Sequence, residues 1–253
     1  MLVAAAVCPC PPLLVPEVAA GAAAEMGPVR AACDAAVGAL AGARPDRLVV
    51  VGPDVGKGAE PVTYPQGSPG SFHGFGVPLD VRLGPGPAAP PDSRERVLPP
   101  ALTLAAWLLG RAALETPVHA RAVPEALPPG RCAAEGAALA AGPARTALLV
   151  MGDASACRSV KAPGYLDERA EPFDAAAARA LGAADTAALL AIDPALAWEL
   201  KAAGRAPWQV LAGAAGDAPM HGALLHDSAP YGVGYLVAAW ASDASTLPAP
   251  RGR

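Results

Sequence analysis

Aromatic residues make up only 4% of the chain and charged residues only 17%, although it is 253 residues long. With so few large rings, the core has to be assembled from alanine, valine and leucine brought close together. The 53% hydrophobic content is ample for that and argues against extensive disorder. Lys/Arg runs are missing and the net charge is -4, so no basic surface awaits a nucleic-acid backbone. Apolar runs never reach the ~18 residues of a membrane span. The opening MLVAAAVCPCPPLL lacks a positively charged start and is broken by Pro9, Pro11 and Pro12, so it does not read as a secretory signal. Five cysteines, Cys8, Cys10, Cys33, Cys132 and Cys157, are an odd set unlike a secreted disulfide framework, and a reduced cytoplasmic chain is expected. Walker, zinc-finger and Gly-x-Ser-x-Gly patterns are absent. The Gly-x-Gly of PYGVGY has neither a third glycine nor a following helix pattern.

What is present is an alternation. Apolar strand-like runs at 1–7, 46–54 and 145–155 each end in a proline- or glycine-bearing corner: Cys-Pro-Cys-Pro-Pro, Gly-Pro-Asp and Gly-Asp-Ala-Ser. Such runs are the mark of buried parallel strands. Alanine-rich helical stretches lie between and after them: 16–43, interrupted at Pro28, then 98–114, 130–142, 172–190, 193–203 and 206–215. Residues 117–124 alternate as a strand, 222–241 return to strand, and 84–100 form a proline-rich loop. The pattern predicts a single α/β domain over 1–241, with a central, mostly parallel or mixed sheet flanked by helices, and a flexible tail over 242–253. Ligands of such sheets sit beyond the carboxyl ends of the strands. That rule places Cys8, Cys10, Asp54, Asp153 and Ser155 along one rim.

The bland roles are equally specific. Cys8 and Cys10 can be small buried hydrophobes. They are not a Cys-x-x-Cys chelate and are read as facing apart. Asp54 can cap a turn. Asp153 and Ser155 can bond backbone N–H groups of the turn that follows them. His73 can be an exposed loop histidine. His119, His221 and His226 show no ligand spacing.

Taken in order, Pro9, Pro11, Pro12, Leu13, Leu14, Val15, Pro16, Glu17, then LVVVGPD (48–54), FHGFGVP (72–78), LLVMGDAS (148–155), EPFDAAAARAL, AIDPAL and APYGVGYLVA (229–238) resemble the class III extradiol ring-cleavage dioxygenases of the B-subunit type and the related Memo-like proteins. The resemblance runs over about residues 2 to 240. It implies that fold, and a cleft in which two strand-end histidines and a residue from a late helix hold Fe(II), with a further histidine as acid/base. On this sequence the ligand positions fall at Cys10, Asp54 and near Ala202, and the acid/base position at Ala156. All four differ from the family pattern. The resemblance therefore implies a degenerate member without the iron cofactor, binding a small molecule or a protein, with no nucleic-acid or membrane partner and homo-oligomerisation open. A repurposed zinc- or thiol-dependent enzyme and a retained Fe(II) dioxygenase are the alternatives. Cys10, Asp54, His73, Asp153 and Ser155 are the candidate cleft residues. Glu199, about one turn from Ala202, is a substitute ligand if the register differs. If the cleft is open, restoring histidine at Cys10, Asp54 and Ala156 and glutamate at Ala202 leaves the fold intact.

Overall fold

A computed structural model describes residues 1–54, 56, 58–86, 97–112 and 114–248. Nine strands and eight helices are defined among them. The chain runs β1 (Leu2–Cys8), α1 (Pro16–Ala19), α2 (Gly27–Gly42), β2 (Arg47–Asp54), β3 (Val62–Tyr64), β4 (Pro69–Ser71), β5 (Asp80–Arg82), α3 (Pro100–Arg111), β6 (Val118–Pro124) and α4 (Pro129–Ala140). It continues through β7 (Thr146–Met151), α5 (Ala170–Ala183), α6 (Thr186–Leu190), α7 (Pro194–Glu199), α8 (Arg205–Ala215), β8 (His221–Ser228) and β9 (Tyr235–Ala241).

Seven strands form one mixed sheet in the order β3-β6-β2-β7-β1-β9-β8, and β4 and β5 form a separate two-stranded sheet. The four central strands β6, β2, β7 and β1 are parallel, while β3 and β9 run antiparallel to their neighbours. The expected single α/β layer structure is therefore present. Central strands pack on both faces, which is why they read as unbroken apolar runs rather than alternating ones. On one face, Ala6, Cys8, Leu48, Val50, Leu149 and Met151 pack with residues of α2 and α3. On the other, Val7, Val49, Val51, Leu148 and Val150 pack with α5 and α8.

The helix boundaries differ from the sequence reading where capping overrides composition. Pro28 does not break a helix. It occupies the first turn of α2, where its missing N–H costs nothing, and the interruption lies ahead of it. The 172–190 stretch divides at Ala184, which adopts a left-handed conformation (φ 53°), and Asp185 then caps α6 by accepting from the N–H of Ala188 at 2.9 Å. The 193–203 stretch stops at Glu199, and Lys201 turns the chain with φ 56°. Thus Ala202 lies in a corner rather than on a helix. The final strand region is a hairpin, β8 and β9, folded at 229–234. The tail contains a short 3-10 turn at Ala244–Thr246, capped by Asp243. Most of the proline-rich 84–100 loop and the end of the tail, 249–253, lie outside the described residues.

Candidate functional site at the strand ends

Chain direction creates a crevice. After β1 the chain continues to α2 on one face of the sheet, and after β7 it continues to α5 on the other. β1 and β7 are neighbours, so their carboxyl ends diverge into opposite layers, the arrangement in which open α/β sheets place ligands.

Register shows which side chains meet there. Cys8 pairs with Met151, so two residues further on Cys10 falls beside Asp153. Val51 pairs with Val150, and three further on Asp54 falls level with Asp153. Val7 pairs with Ala238 antiparallel, and the same extension sets Cys10 opposite Tyr235. Side chains alternate along a strand, so parity decides the face. Asp54, Asp153, Cys10 and Tyr235 share the parity of Val50, Met151, Cys8 and Val237, all on the α2/α3 face. One row thus crosses β7, β1 and β9 at the edge of the sheet, with Asp54 of β2 at the same level. The same rule corrects the reading of Cys8 and Cys10: two residues apart, they lie on the same face, and both pack with the core on that side.

The centre of the row is bonded. The backbone N–H of Cys10 donates to Asp153 Oδ1 at 2.7 Å, and its thiol lies 3.6 Å from Oδ2. The carboxylate thereby continues the β1–β7 ladder past the point where Gly152 N–H donates to the Cys8 carbonyl at 3.0 Å. Asp153 bonds across the sheet, not within its own turn as expected. Burial raises its pKa from 3.8 to about 6, against the lowering effect of the two Cys10 contacts. Burial, then the Asp153 charge, pushes the Cys10 thiol well above its ordinary range. Tyr235 is 3% exposed, and its phenol is pushed up by burial, then by Asp153 and Cys10. Glu125, just past β6, is also raised by burial.

The remaining candidates separate from this row. Asp54 is level with it, but its Oδ1 accepts the Gly56 N–H at 2.9 Å, the turn-capping role. Ser155 is buried and points into the protein. Its N–H and hydroxyl donate to Asp174 on α5 at 2.8 and 2.9 Å, rather than to a following turn. His73 is exposed on a 3-10 turn between β4 and β5, with Nε2 3.6 Å from Asp80 Oδ1, and does not join the row. Glu199 pairs with Arg169 at 2.7 Å on the surface. Cys132 and Cys157 are buried, and each thiol donates to a carbonyl, of Leu127 and Leu200, at 3.5 Å.

Ala156 and Ala202 are 8% and 6% exposed. They are packed positions, not walls of an open cleft. The Ala156 N–H donates to the Leu200 carbonyl and the Ala202 N–H to that of Ala197, at 2.9 and 2.8 Å. Arg205, buried at the start of α8, fixes this corner by donating to the carbonyls of Glu125 and Leu127 and to Gln209. Sequence reasoning passed over Tyr235, Glu125, Asp174 and Arg205. Tyr235 was open to discovery, because the antiparallel return of the last strand sets it opposite Cys10. Asp174 and Arg205 carry no signal in their neighbours.

The donor set does not fit the iron group of the extradiol enzymes. Of the four working positions, two are alanines, one is a protonated thiol and one is a carboxylate engaged with its own turn. Among the described residues, no group of three or more His, Cys, Asp or Glu stands where it could hold a metal ion.

No protein-family model matches this chain, and no curated protein does. Among solved structures, the uncharacterized protein JW3007 from Escherichia coli K12 matches with a TM-score of 0.51 and 13% identity, over 94% of this chain and 99% of that one. At that identity the likeness concerns the fold alone. Among the described residues, no helix is long and apolar enough to cross a membrane.

Asp153 yields a stability prediction. Its folded pKa, about 6, stands above its ordinary 3.8, so the folded state binds the proton more tightly. That contribution is fully present below about pH 4 and is lost as pH rises through about 6. Two units correspond to about 3 kcal/mol, and partial solvent contact reduces this to ~1–2 kcal/mol. Urea unfolding at pH 5 and pH 7.5 should show the wild type more stable at pH 5. Asp153→Asn should remove most of the difference. Equal pH dependence in both proteins would rule out Asp153 as its source.

Proposed function

We propose that this chain is a degenerate relative of the class III extradiol dioxygenases, whose strand edge binds a small molecule without ring cleavage. The row of Asp153, Cys10 and Tyr235, with Asp54 level with it, supports the binding role, because it gathers polar groups at the switch point of the sheet. The buried alanines at 156 and 202 argue against oxygen chemistry, since neither side chain can ligate or transfer a proton. A thiol-dependent enzyme is disfavoured because a nucleophilic cysteine needs a lowered pKa, and Cys10 is pushed the other way by burial and by Asp153. A small-molecule role is favoured over protein docking because the polar row lies at the junction of packed elements rather than on an exposed apolar face.

The test is elemental analysis and oxygen uptake. Protein purified without added metal should carry iron far below one atom per chain. After incubation with Fe(II) and catechol it should consume no oxygen above a blank. About one iron per chain, or catechol-dependent oxygen uptake, overturns the proposal and restores the dioxygenase.

A further inference from the structure

We infer that the surface formed by α5, α6 and α7 is the contact face of a homodimer, in which Trp198 of each copy enters an apolar groove of the other. The inference goes beyond the small-molecule reading above and does not depend on it.

The groove comes first. About 540 Å³ of open space lies between α5 and the α6–α7 segment. Phe173 and Ala176 line it from one side, and Ala188, Ala191, Ile192 and Leu196 from the other. Phe173, Ile192 and Leu196 are only half-buried, so the helices stop short of closing over them. The alanines leave the width of the groove unfilled. A contiguous apolar surface of this kind marks a place of association.

Beside the groove stands a knob. Trp198 is 69% exposed, although tryptophan is a residue that proteins bury. At about 100° per residue, Trp198 and Leu196 fall on opposite flanks of α7. Exposed Ala195 and Glu199 form the crest between them. Knob and groove therefore border one helix, roughly a helix diameter of ~10 Å apart. A twofold axis running along that crest, in the plane of contact, sets each Trp198 over the groove of the other copy. Both contacts then form together, as isologous pairing requires. The small side chain of Ala195 lets the two crests approach. A foreign partner matches this face only by bringing both a knob and a groove, which a second copy does by symmetry.

The knob has apolar neighbours. The 164–166 loop lies against the end of α7: a β-carbon on Gly164 would come 3.1 Å from Lys201 Cδ. Tyr165 and Leu166 in this loop are 65% and 49% exposed. Tyr165 holds φ 61° and Lys201 φ 56°, so two left-handed, non-glycine residues border the same face. Such a conformation strains a bulky residue, and here it keeps an aromatic ring turned outward. Exposed tyrosine and tryptophan set on a fixed frame are the usual anchors of a protein interface.

Charge selects the copy as the occupant. The chain carries a net charge of -4, so two copies repel at a distance. This face supplies cations against that repulsion. Arg169 pairs with Asp167 and Glu199, each at 2.7 Å. Lys201 and Asp193 make no ion pair among the described residues. A rim that bears both signs is complementary to its own twofold image, whereas a rim of one sign calls for an oppositely charged partner.

Sedimentation velocity on the full chain, from about 1 µM to about 200 µM, provides the test. The mass should rise with concentration from that of the 25.0 kDa chain toward twice that value. Trp198→Ala should raise the dissociation constant roughly thirtyfold or more, since both copies lose an anchor. Ala188→Arg fills the groove from an exposed helical position and should act in the same direction. Phe75→Ala removes an exposed ring outside this face and should leave the dimer unchanged. Circular dichroism melting of dilute samples checks that the variants fold. Should Ala188→Arg fail to fold, Trp198→Ala and Phe75→Ala decide the matter. A chain that stays monomeric at about 200 µM overturns the inference. It does so even if the groove then takes up a hydrophobic dye such as Nile red, which would assign it to a small apolar molecule. A dimer that neither Trp198→Ala nor Ala188→Arg weakens overturns it as well, because another face then pairs. Neither result alters the iron and oxygen measurements that test the small-molecule reading.

Discussion

The variant Cys10→His/Asp54→His/Ala156→His/Ala202→Glu should not accumulate as a folded protein. Cys10 and Asp54 are half-buried and can tolerate a ring. The other two cannot. Ala156 sits where its N–H is bonded to Leu200, and the Gly164 N–H bonds its carbonyl at 2.8 Å. Ala202 occupies the tight corner between α7 and α8, beside the buried Arg205. A histidine at 156 and a glutamate at 202 each bring a large polar side chain into a space shaped for a methyl group. Overpacking costs ~1–3 kcal/mol per site, and an unpaired buried polar group adds ~1–3 kcal/mol. The two together approach the ~5–15 kcal/mol that stabilises a whole domain. The soluble fraction on expression and the thermal transition followed by circular dichroism report the outcome. The double variant Cys10→His/Asp54→His should remain folded, while Ala156→His/Ala202→Glu should not. A cooperative quadruple variant that binds one Fe(II) would show that the corner opens, and that the cleft is an intact but vacated iron site.

That outcome reverses what the sequence alone led us to expect for these positions, and the reason is physical. The strands were legible because a parallel strand covered on both faces must be apolar throughout, and 48–51 and 147–151 are. The carboxyl-edge location of Cys10, Asp54 and Asp153 was legible from the corners that end those runs. Whether an alanine beyond such a corner faces solvent or neighbours has no local signature. It depends on Leu200 and Gly204, some 45 residues away in sequence, folding back over 152–156. Tyr235 required register, which passes through the antiparallel pairing of β1 with β9. Pro28 was misread because a proline in a helix-forming run is ambiguous until the cap position is known.

The close approach over the strand end leads to the last prediction: Gly152→Ala should destabilise the protein by about 3 kcal/mol and displace Asp153. A β-carbon at Gly152 would stand 2.4 Å from the Gly204 Cα and 3.1 Å from its nitrogen. Those are backbone atoms, so no rotamer change relieves the overlap. The Gly204 N–H donates to the Asp153 carbonyl at 2.8 Å, so moving the 200–205 corner away breaks the bond that docks it. Gly204 is held from behind as well: a side chain there would meet the Trp208 ring at 2.3 Å. Trp208 is fully buried, so the corner has no room to retreat. Steric insertion of this kind costs ~1–3 kcal/mol, and the lost hydrogen bond adds ~1 kcal/mol. At roughly 2–4 °C per kcal/mol for a chain of this size, the melting temperature should fall by ~6–12 °C. Gly110→Ala is the control. Gly110 lies within α3, with nothing within 4 Å of the position its β-carbon would take, so alanine there should be neutral or slightly stabilising. The amide resonance of Cys10 should move in Gly152→Ala and stay in place in Gly110→Ala, because only the first shifts the carboxylate that the amide donates to. A Gly152→Ala protein melting within 1 °C of wild type would mean that the corner yields freely, and that Asp153 is not rigidly presented to a ligand at the sheet edge.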